Sequence, residues 1–296
     1  MLTHLGGCEI REQLHQRSGT TVYRGRRIED DRPVVLKVVS GEAPPGALLA
    51  LRHEHAILGE LDGIEGVPRT FGLVHDGGHW ALLLEELGGT SLAALGVAGT
   101  LSVVEVLELG LAVTAILERI HRRRVMHKDL NPANLVWDRA AGRLALIDFG
   151  IATVLPRETT AFVSARGLEG TLAYVSPEQT GRMNRALDYR TDYYSLGVTL
   201  YEIASGRLPF TAADPLEFVH YHIARQPPPL AEISPGVPPP LAAIIHKLMA
   251  KSADDRYQSA QGIRADLARC LTELGQRGEI APFAVGQLDR SERFHL

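Results

Sequence analysis

The sequence is poor in cysteine, carries no strong charge of either sign and lacks long hydrophobic runs. Its two cysteines, Cys8 and Cys270, are too few for a disulfide framework and favour a reducing compartment, the cytoplasm. The formal net charge of -4 gives no electrostatic reason to expect nucleic acid as a partner. No run of about 18 or more uncharged apolar residues occurs, so no membrane span is predicted. The 45% hydrophobic and 22% charged residues are typical of a globular chain with a sizeable core.

The first 87 residues predict a small antiparallel sheet with a single helix. Residues 9–15 and 21–26 flank a polar bend and predict a hairpin. A β-branched run at 32–39 predicts the next strand. Residues 47–61 have the helical spacing of apolar side chains, and 80–87 form a strand too apolar to face water on either side. The two consecutive glycines that follow are typical of a hinge between two lobes.

After residue 88 the pattern becomes mostly helical. Ser102 and Glu105 form a capping-box pattern at the start of an apolar run that reaches Ile120. Residues 191–204 are apolar on nearly all sides, which predicts a helix buried inside a lobe. Two more helices are predicted at 241–250 and 259–275. From residue 277 onward the composition predicts a loose tail.

One segment carries most of the chemistry. Phosphoryl transfer requires an aligned nucleophile and neutralised phosphate charge, and little covalent help from the protein. One carboxylate can orient the attacking hydroxyl and accept its proton, while a second carboxylate and an amide oxygen can bind Mg²⁺. Asp129, Asp148 and Asn134 are the right chemical types for these three tasks. They stand in two short runs, His127-Lys128-Asp129-Leu130-Asn131-Pro132-Ala133-Asn134 and Asp148-Phe149-Gly150.

This combination resembles the catalytic loop and metal motif of the protein kinase superfamily. The resemblance covers roughly residues 9–274 and implies an α+β, two-lobed fold. Its N-lobe, residues 1–87, would be a small antiparallel β-sheet with one helix, and its C-lobe, residues 88–274, would be mostly helical. The resemblance implies ATP as phosphoryl donor, Mg²⁺ (or Mn²⁺) as metal and a protein as acceptor. Residues 275–296 are then expected to be a tail that links the domain to downstream signalling domains.

The resemblance also implies roles for single residues. Lys37 matches the strand lysine that grips the α- and β-phosphates, and Glu54 matches the glutamate that pairs with it. Asp129 matches the catalytic aspartate, and the metal ligands would be Asn134 and Asp148. The positions expected around adenine are Val22, Val35, Leu84 as gatekeeper, the hinge residues Glu85 and Leu87, and Val136.

Further landmarks of the same family lie in the second lobe. Glu178, in Ser176-Pro177-Glu178, matches the end of the activation segment and is expected to pair with Arg256. Asp192 opens the buried helix that is expected to steady the catalytic loop. His127 is expected to pack beneath Phe149.

Two motifs suggest finer assignments. Thr171, just before this end of the activation segment, favours serine and threonine over tyrosine as acceptors. The runs 169–184 and 188–192 resemble the N-terminal kinase domain of large bacterial multi-sensor hybrid signalling proteins. In those proteins an ATPase-like module, a sensory domain and a histidine kinase follow, so covalently linked signalling domains are the expected partners.

The sequence departs from the family pattern at the phosphate-binding loop and in the catalytic loop. The three glycine positions of that loop hold His15, Arg17 and Thr20, whose side chains hinder a close approach of backbone to phosphate. Asn131 stands where serine/threonine kinases carry a lysine, so one positive charge is missing. Lys128 replaces an arginine that grips a phosphorylated activation loop, which weakens the case for control through Thr159, Thr160 or Ser164.

These departures leave three functions open. The sequence favours an active serine/threonine protein kinase. A pseudokinase-like domain that binds nucleotide and acts as a scaffold in a larger sensor protein is the main alternative. A small-molecule kinase is disfavoured, because Glu178, Asp192 and Arg256 belong to the activation segment and anchor of protein kinases.

Overall fold

The computed structural model describes residues 2–17, 19–154, 172–182 and 187–290. Within these residues an antiparallel sheet with one helix is followed by a mostly helical part, which confirms the predicted α+β, two-lobed fold. The strands are β1 His4–Leu5, β2 Cys8–Arg17, β3 Thr20–Arg27, β4 Pro33–Ser40, β5 Thr70–Asp76, β6 His79–Glu85, β7 Thr90–Ser91, β8 Val125–Met126, β9 Leu135–Asp138, β10 Arg143–Leu146 and β11 Thr153–Val154. The helices are α1 Pro45–Glu60, α2 Val103–Arg122, α3 Arg190–Ser205, α4 Pro215–Ala224, α5 Leu230–Ile233, α6 Pro239–Leu248 and α7 Ala260–Arg277.

The N-terminal sheet has the strand order β1-β2-β3-β4-β6-β5, and all neighbours are antiparallel. Its central strand β4 separates two cores because successive side chains point to opposite faces. Val34, Leu36 and Val38 enter a small cluster on one face. Val35 packs instead against the larger core that continues into the helical lobe, and Lys37 shares its face. This second face therefore looks towards the rest of the protein.

The helical lobe is built around α2 and α3. The predicted capping box is present: Ser102 Oγ accepts from Glu105 N at 3.3 Å, and Glu105 Oε2 accepts from Ser102 N at 2.9 Å. Helix α3 is buried along most of its length, as predicted, and ends at Gly206 with φ 74°. A side chain at Gly197 would approach Leu248 Cβ to 2.8 Å, so this glycine permits close packing of α3 on α6.

The predicted elements are present with shifts of a few residues at their ends, but several observed elements were not predicted, strand β5 and helix α4 among them. Strand β5 carries Gly72 and polar ends, which weaken its apolar alternation. Helix α4 begins after Asp214, whose carboxylate accepts from Leu216 N at 2.7 Å. Across the described ranges, no helix has the length and apolar character needed to cross a membrane. The domain boundaries at 87 and 274 stay predictions.

The prediction of a loose tail does not hold for residues 278–290. Helix α7 continues to Arg277, and the chain then folds back along it. Ile280 is buried, and Arg269 lies 4.1 Å from the centre of the Phe283 ring. Asp289 accepts hydrogen bonds from the start of α7. Whether this segment connects to further domains stays a prediction.

Candidate active site

The face of the sheet that looks towards the helical lobe collects four of the predicted site residues. The register pairs Val22 with Lys37 and Val35 with Leu84. Directly opposed residues of antiparallel strands share a face, and residues two apart along one strand do as well. All four side chains therefore lie on one face. Leu84 is nearly fully buried there, while Val22, Val35 and Lys37 are partly accessible.

The remaining predicted adenine positions lie where β6 ends and in β9. Glu85 is the last residue of β6, and its N–H donates to Arg69 O at 2.8 Å. Leu87 follows beyond the end of that strand. Val136 lies in β9, two residues after Asn134, and pairs with Ala145 of β10. Strand β10 ends two residues before Asp148, so Val136 lies on a strand whose neighbour leads to the predicted metal position.

Lys37, Glu54 and Asp148 form one ionic cluster between the two lobes. The ammonium of Lys37 donates to Glu54 Oε1 at 2.6 Å and Oε2 at 2.8 Å, and to Asp148 Oδ1 at 3.0 Å. Glu54 also accepts from Phe149 N at 3.2 Å. The side chain of Glu54 is 4% exposed and that of Asp148 48% exposed. Glu54, on α1, is thus the buried end of the cluster, and Asp148 is its solvent-accessible end.

Electrostatic interactions within the cluster keep Lys37 and Asp148 ionised. Burial by itself lowers the pKa of Lys37, but the carboxylates of Glu54 and Asp148 outweigh it and raise that pKa above its usual value. The same ammonium lowers the pKa of Asp148. Burial raises the pKa of Glu54, although Lys37 favours its ionised form. A cationic Lys37 next to an anionic Asp148 is suited to bind phosphate and metal together.

Asp129 is held by two amide side chains. Asn134 Nδ2 donates to Asp129 Oδ2 at 3.0 Å and to its carbonyl oxygen at 2.8 Å. Asn131 Nδ2 donates to Asp129 Oδ1 at 3.1 Å, and Asn131 Oδ1 accepts from Ala133 N at 2.9 Å. By sequence, Asn131 stands only where serine/threonine kinases carry a phosphate-binding lysine. In the structure its amide instead orients the Asp129 carboxylate.

The loops that carry Asp129 and Asp148 each contain a residue with strained backbone, and buried side chains hold them in place. Lys128 and Asp148 have φ of 69° and 67°, values that non-glycine residues rarely adopt. Asp192 is fully buried, and its two oxygens accept from His127 N at 2.9 Å and Lys128 N at 2.7 Å. The predicted anchoring of the catalytic loop by Asp192 is therefore present. His127 also packs edge-on against Phe149, as predicted, with ring centres 4.7 Å apart.

The predicted pair of Glu178 and Arg256 is a buried, two-pronged ion pair. Arg256 donates to Glu178 Oε1 at 2.6 Å and to Oε2 at 2.8 Å. Thr191 Oγ1 adds a hydrogen bond to Glu178 at 2.9 Å. Burial raises the pKa of Glu178, but its bonds to Arg256 prevail and lower it. Thr159, Thr160, Ser164 and Thr171 lie outside the described residues.

The segment that replaces the glycine-rich loop is a tight hairpin. The ladder between β2 and β3 continues through the pairs His15–Val22 and Arg17–Thr20, so the two strands stay paired up to a short turn. Gly19 has φ 84°, and a side chain there would approach Pro44 Cδ to 3.0 Å. The glycine thus serves the hairpin turn and not an open phosphate cradle.

Asn134 and Asp148 fit a magnesium ion better than a metal held by the protein alone. Because Asn134 Nδ2 makes both bonds to Asp129, its Oδ1 is the atom that can bind a cation. With the Asp148 carboxylate this gives two hard oxygen ligands. Across the described ranges, no group of three or more His, Cys, Asp or Glu side chains could hold a metal. Magnesium suits such a sparse site because it keeps waters and substrate phosphates as further ligands.

Two contacts were missed by sequence reasoning. His53 is exposed on α1, and its Nε2 lies 2.6 Å from Ala152 O, which connects α1 to the chain after the metal loop. Gln179 Nε2 donates to Lys128 O at 2.9 Å, which connects the segment around Glu178 to the catalytic loop. Their positions directly beside Glu54 and Glu178 were the only available signal.

Comparisons with known proteins agree with this geometry. The family model of the protein kinase domain matches residues 9–267. A probable serine/threonine-protein kinase of Streptomyces coelicolor, SCO3848, is 32% identical over 64% of this chain and 28% of its own length. The serine/threonine-protein kinase PknB of Mycobacterium leprae is 36% identical over 58% of this chain and 26% of its own length.

A third relative is named as a hybrid histidine kinase and not as a serine/threonine kinase. Hybrid signal transduction histidine kinase G of Dictyostelium discoideum is 48% identical over 35% of this chain, a match that spans 3% of that protein. In all three comparisons the match spans less than a third of the relative.

Proposed function

We propose, since the chain belongs to the protein kinase domain family, that it transfers the γ-phosphoryl group of ATP to serine or threonine hydroxyls of a protein. The observation that carries the proposal is the joint arrangement of two groups. One is the Lys37–Glu54–Asp148 cluster between the lobes. The other is the Asp129 carboxylate, fixed by Asn131 and Asn134. Together they supply a phosphate-binding cation, metal ligands and an oriented base.

The nucleotide would bind against the inner face of the N-terminal sheet. Val22, Val35 and Leu84 offer an apolar surface for adenine on the same face as Lys37. Since Glu85 N–H already donates to Arg69 O, only the carbonyl of Glu85 could meet the base, together with the backbone of Leu87. Lys37 would then contact the α- and β-phosphates, held in place by Glu54.

Mg²⁺ would be bound by Asp148 and by Asn134 Oδ1, and when bound it would neutralise part of the phosphate charge. Asp129 orients the acceptor hydroxyl and takes its proton as the hydroxyl oxygen bonds to the γ-phosphorus, while the bond from that phosphorus to the β–γ bridging oxygen breaks and ADP leaves. General-base assistance of this kind contributes about 10²–10⁴ in rate. Hydrogen bonds from the side-chain amides of Asn131 and Asn134 hold both carboxylate oxygens of Asp129, which limits rotation of that carboxylate away from the hydroxyl.

The choice of serine or threonine rests on the relatives and on Thr171, a residue outside the described ranges. Attachment to downstream signalling domains is proposed from the sequence motifs at 169–184 and from the partial match to a hybrid histidine kinase. The protein acceptor would approach near Glu178, whose buried pair with Arg256 supports the end of the activation segment.

One observation favours a second candidate, a nucleotide-binding scaffold without efficient turnover. The hairpin of β2 and β3 has no glycine at its three phosphate-loop positions, and Asn131 turns towards Asp129 and brings no positive charge. Both features reduce transition-state stabilisation of the γ-phosphate. They leave Lys37, Asp148 and the apolar face intact, so nucleotide binding would persist.

The test is transfer of labelled γ-phosphate with Mg²⁺ to the protein itself and to generic protein acceptors, with mass spectrometry of the products. Asp129→Asn should lower turnover about 10²-fold or more and leave ATP binding, measured by calorimetry, nearly unchanged. Lys37→Met should abolish binding. Asp62→Asn is the matched control, because Asp62 is an exposed carboxylate that pairs with Arg69 on the surface.

The outcomes separate the candidates. Phosphoserine or phosphothreonine that is absent from the Asp129→Asn sample supports the kinase. ATP binding without any transfer supports the scaffold. Equal transfer by the unmodified protein and by Asp129→Asn would show that Asp129 is not the base.

A further inference from the structure

Residues 278–290 form a segment, here called the clamp, that lies beyond the matched family domain and packs on α7 and on the loop before it. Its best-defined anchor is Asp289. The carboxylate accepts from Gln258 N at 2.7 Å and from Ser259 Oγ at 2.8 Å. Ser259 Oγ in turn accepts from Gly262 N and caps α7. Asp289 thus holds the first turn of α7 together with the residue that precedes its cap.

A glycine in α7 makes room for this anchor. A Cβ atom at Gly262 would stand 2.4 Å from Asp289 Oδ1 and 2.7 Å from its Cβ, so any side chain at position 262 would force Asp289 to move. Within a helix, glycine is otherwise less favourable than alanine. The glycine is therefore explained by the close approach of Asp289 and not by the helix itself.

A second anchor lies one turn further along α7. Asp266 Oδ2 accepts from Gly286 N at 2.6 Å and from Tyr257 Oη at 2.6 Å. Tyr257 is fully buried and directly precedes Gln258. Both anchors of the clamp therefore bear on the same short stretch, residues 256–259.

This stretch also carries the support of the active site. Gln258 accepts from Arg190 Nη1 at 2.7 Å through its side chain and from Tyr189 Oη at 2.8 Å through its carbonyl. Arg256 donates to Arg190 O at 3.0 Å and to both oxygens of Glu178. Arg190 begins α3, and Asp192, in the same turn, holds the amides of the catalytic loop. Hydrogen bonds, together with the first turn of α3 between Arg190 and Asp192, thus connect the clamp to the catalytic loop.

We propose that the clamp sets the position of the 256–259 stretch, and through it of the Glu178 anchor and the catalytic loop, with Asp289 as a positioning residue for phosphoryl transfer. The inference rests on the proposed kinase function for its activity readout. Its structural readout stands apart from that function. Since spatial continuity alone does not demonstrate energetic coupling, the test measures coupling directly.

The test compares Asp289→Ala and Gly262→Ala with Gly275→Ala. The first variant removes the acceptor, and the second fills the notch that Asp289 occupies while favouring helix in α7. Gly275 lies in the same helix with no atom within 4 Å of the added Cβ, so its alanine variant is the matched control. Asp289→Asn keeps one acceptor oxygen and should fall between wild type and Asp289→Ala.

Hydrogen exchange at single amides gives the first readout. In both clamp variants the Gln258 amide should exchange about tenfold or more faster, since it loses a charged acceptor. If the proposal holds, the amides of His127 and Lys128 also exchange faster, while that of Leu36 in the N-terminal sheet and all amides of the Gly275→Ala control do not change. Unchanged protection at His127 and Lys128, no acceleration at Gln258, or an equal acceleration everywhere would each overturn it.

Kinetics give the second readout. The turnover number for a peptide acceptor should fall roughly 2- to 30-fold in Asp289→Ala, while the KM for ATP stays at the wild-type value. An equal change in both parameters would point to a disturbed nucleotide site and would contradict a positioning role at the catalytic loop. The turnover number is expressed per folded molecule, so that a smaller folded fraction does not mimic the effect. If the unmodified protein transfers no phosphoryl group, the proposed function fails, and the exchange data alone still decide whether the clamp reaches the catalytic loop.

Discussion

Removal of the Arg256 guanidinium is the perturbation whose cost the structure defines best. Arg256 is 1% exposed and donates five hydrogen bonds, two to Glu178 and three to the carbonyl oxygens of Ala250, Arg190 and Lys251. In Arg256→Met the Glu178 carboxylate stays buried without its cation. Breaking a buried ion pair in this way costs about 3–5 kcal/mol. This is a large part of the roughly 5–15 kcal/mol that stabilises a typical domain.

The assay is thermal and denaturant unfolding of four proteins: wild type, Arg256→Met, Glu178→Gln and the double variant. At about 2–4 °C per kcal/mol, the thermal midpoint of Arg256→Met should fall by about 6–20 °C. Glu178→Gln keeps the shape and one acceptor of the side chain, and should cost about 1–3 kcal/mol. The double variant has no uncompensated buried charge, so its loss should be smaller than the sum by about 1–3 kcal/mol.

The pH dependence gives an independent check on the same reasoning. The pKa of Glu178 in the folded protein is below its usual value of 4.5, so its contribution is present above pH 4.5 and is lost as pH falls through the folded pKa. In Arg256→Met, burial without the cation raises the pKa of Glu178 above 4.5, so the stability gap to wild type should begin to narrow as pH falls towards 4.5, and it should narrow further below pH 4.5 as wild type loses the contribution of its own Glu178. Additive effects of the two single changes and a gap independent of pH would refute the argument. The exposed pair of Arg69 and Asp62 is the control, and its cycle should show little or no coupling.

Three further predictions concern stability. Partial burial lowers the pKa of Lys251 from 10.5 to about 8, so with rising pH Lys251 loses its proton in the folded protein before it does so in the unfolded chain. Wild type should therefore gain stability relative to Lys251→Met between about pH 8 and 9.5. A difference in denaturant unfolding that is constant over this range would contradict the prediction. Ser102→Ala removes the α2 cap and should cost about 0.5–2 kcal/mol by chemical denaturation. Gly63 and Gly66 both have positive φ, which costs an alanine about 1–2 kcal/mol at either position. Gly66→Ala should destabilise the protein clearly more than Gly63→Ala, because only at Gly66 does the new methyl group clash, 2.7 Å from Ile116. Equal midpoints of thermal unfolding would refute the clash.

Prediction from sequence succeeded where a local pattern specifies the structure. The capping box of Ser102 and Glu105 marked the start of α2, and the all-round apolar character of 191–204 marked α3 as buried. The order and spacing of the motifs that contain Lys37 and Asp148 indicated the protein kinase family, and the family in turn predicted that both residues lie in one site. Such inferences work because each rests on a few neighbouring residues or on a whole-chain pattern of motifs.

It failed where a contact depends on the conformation of a loop or on a partner that is distant in the chain. Nothing near Asn131 indicates that its amide turns towards Asp129 and away from a phosphate, because side-chain rotation depends on the surrounding loop. The segment after residue 277 has the composition of a tail, yet Asp289 fits a notch that exists only because residue 262 is glycine. His53 offered no pattern of its own, and its contact with Ala152 spans 99 positions.

The division has a physical basis. The sequence by itself determined the two-lobed class, the helices with strong caps or apolar faces, and the identity of the acidic and basic groups in the site, since these follow from short-range periodicity and from side-chain chemistry. Only the tertiary structure decided which acceptor each buried donor meets, because hydrogen bonds and ion pairs between distant segments depend on how whole elements pack. The Arg256–Glu178 anchor geometry and the clamp both belong to this second group.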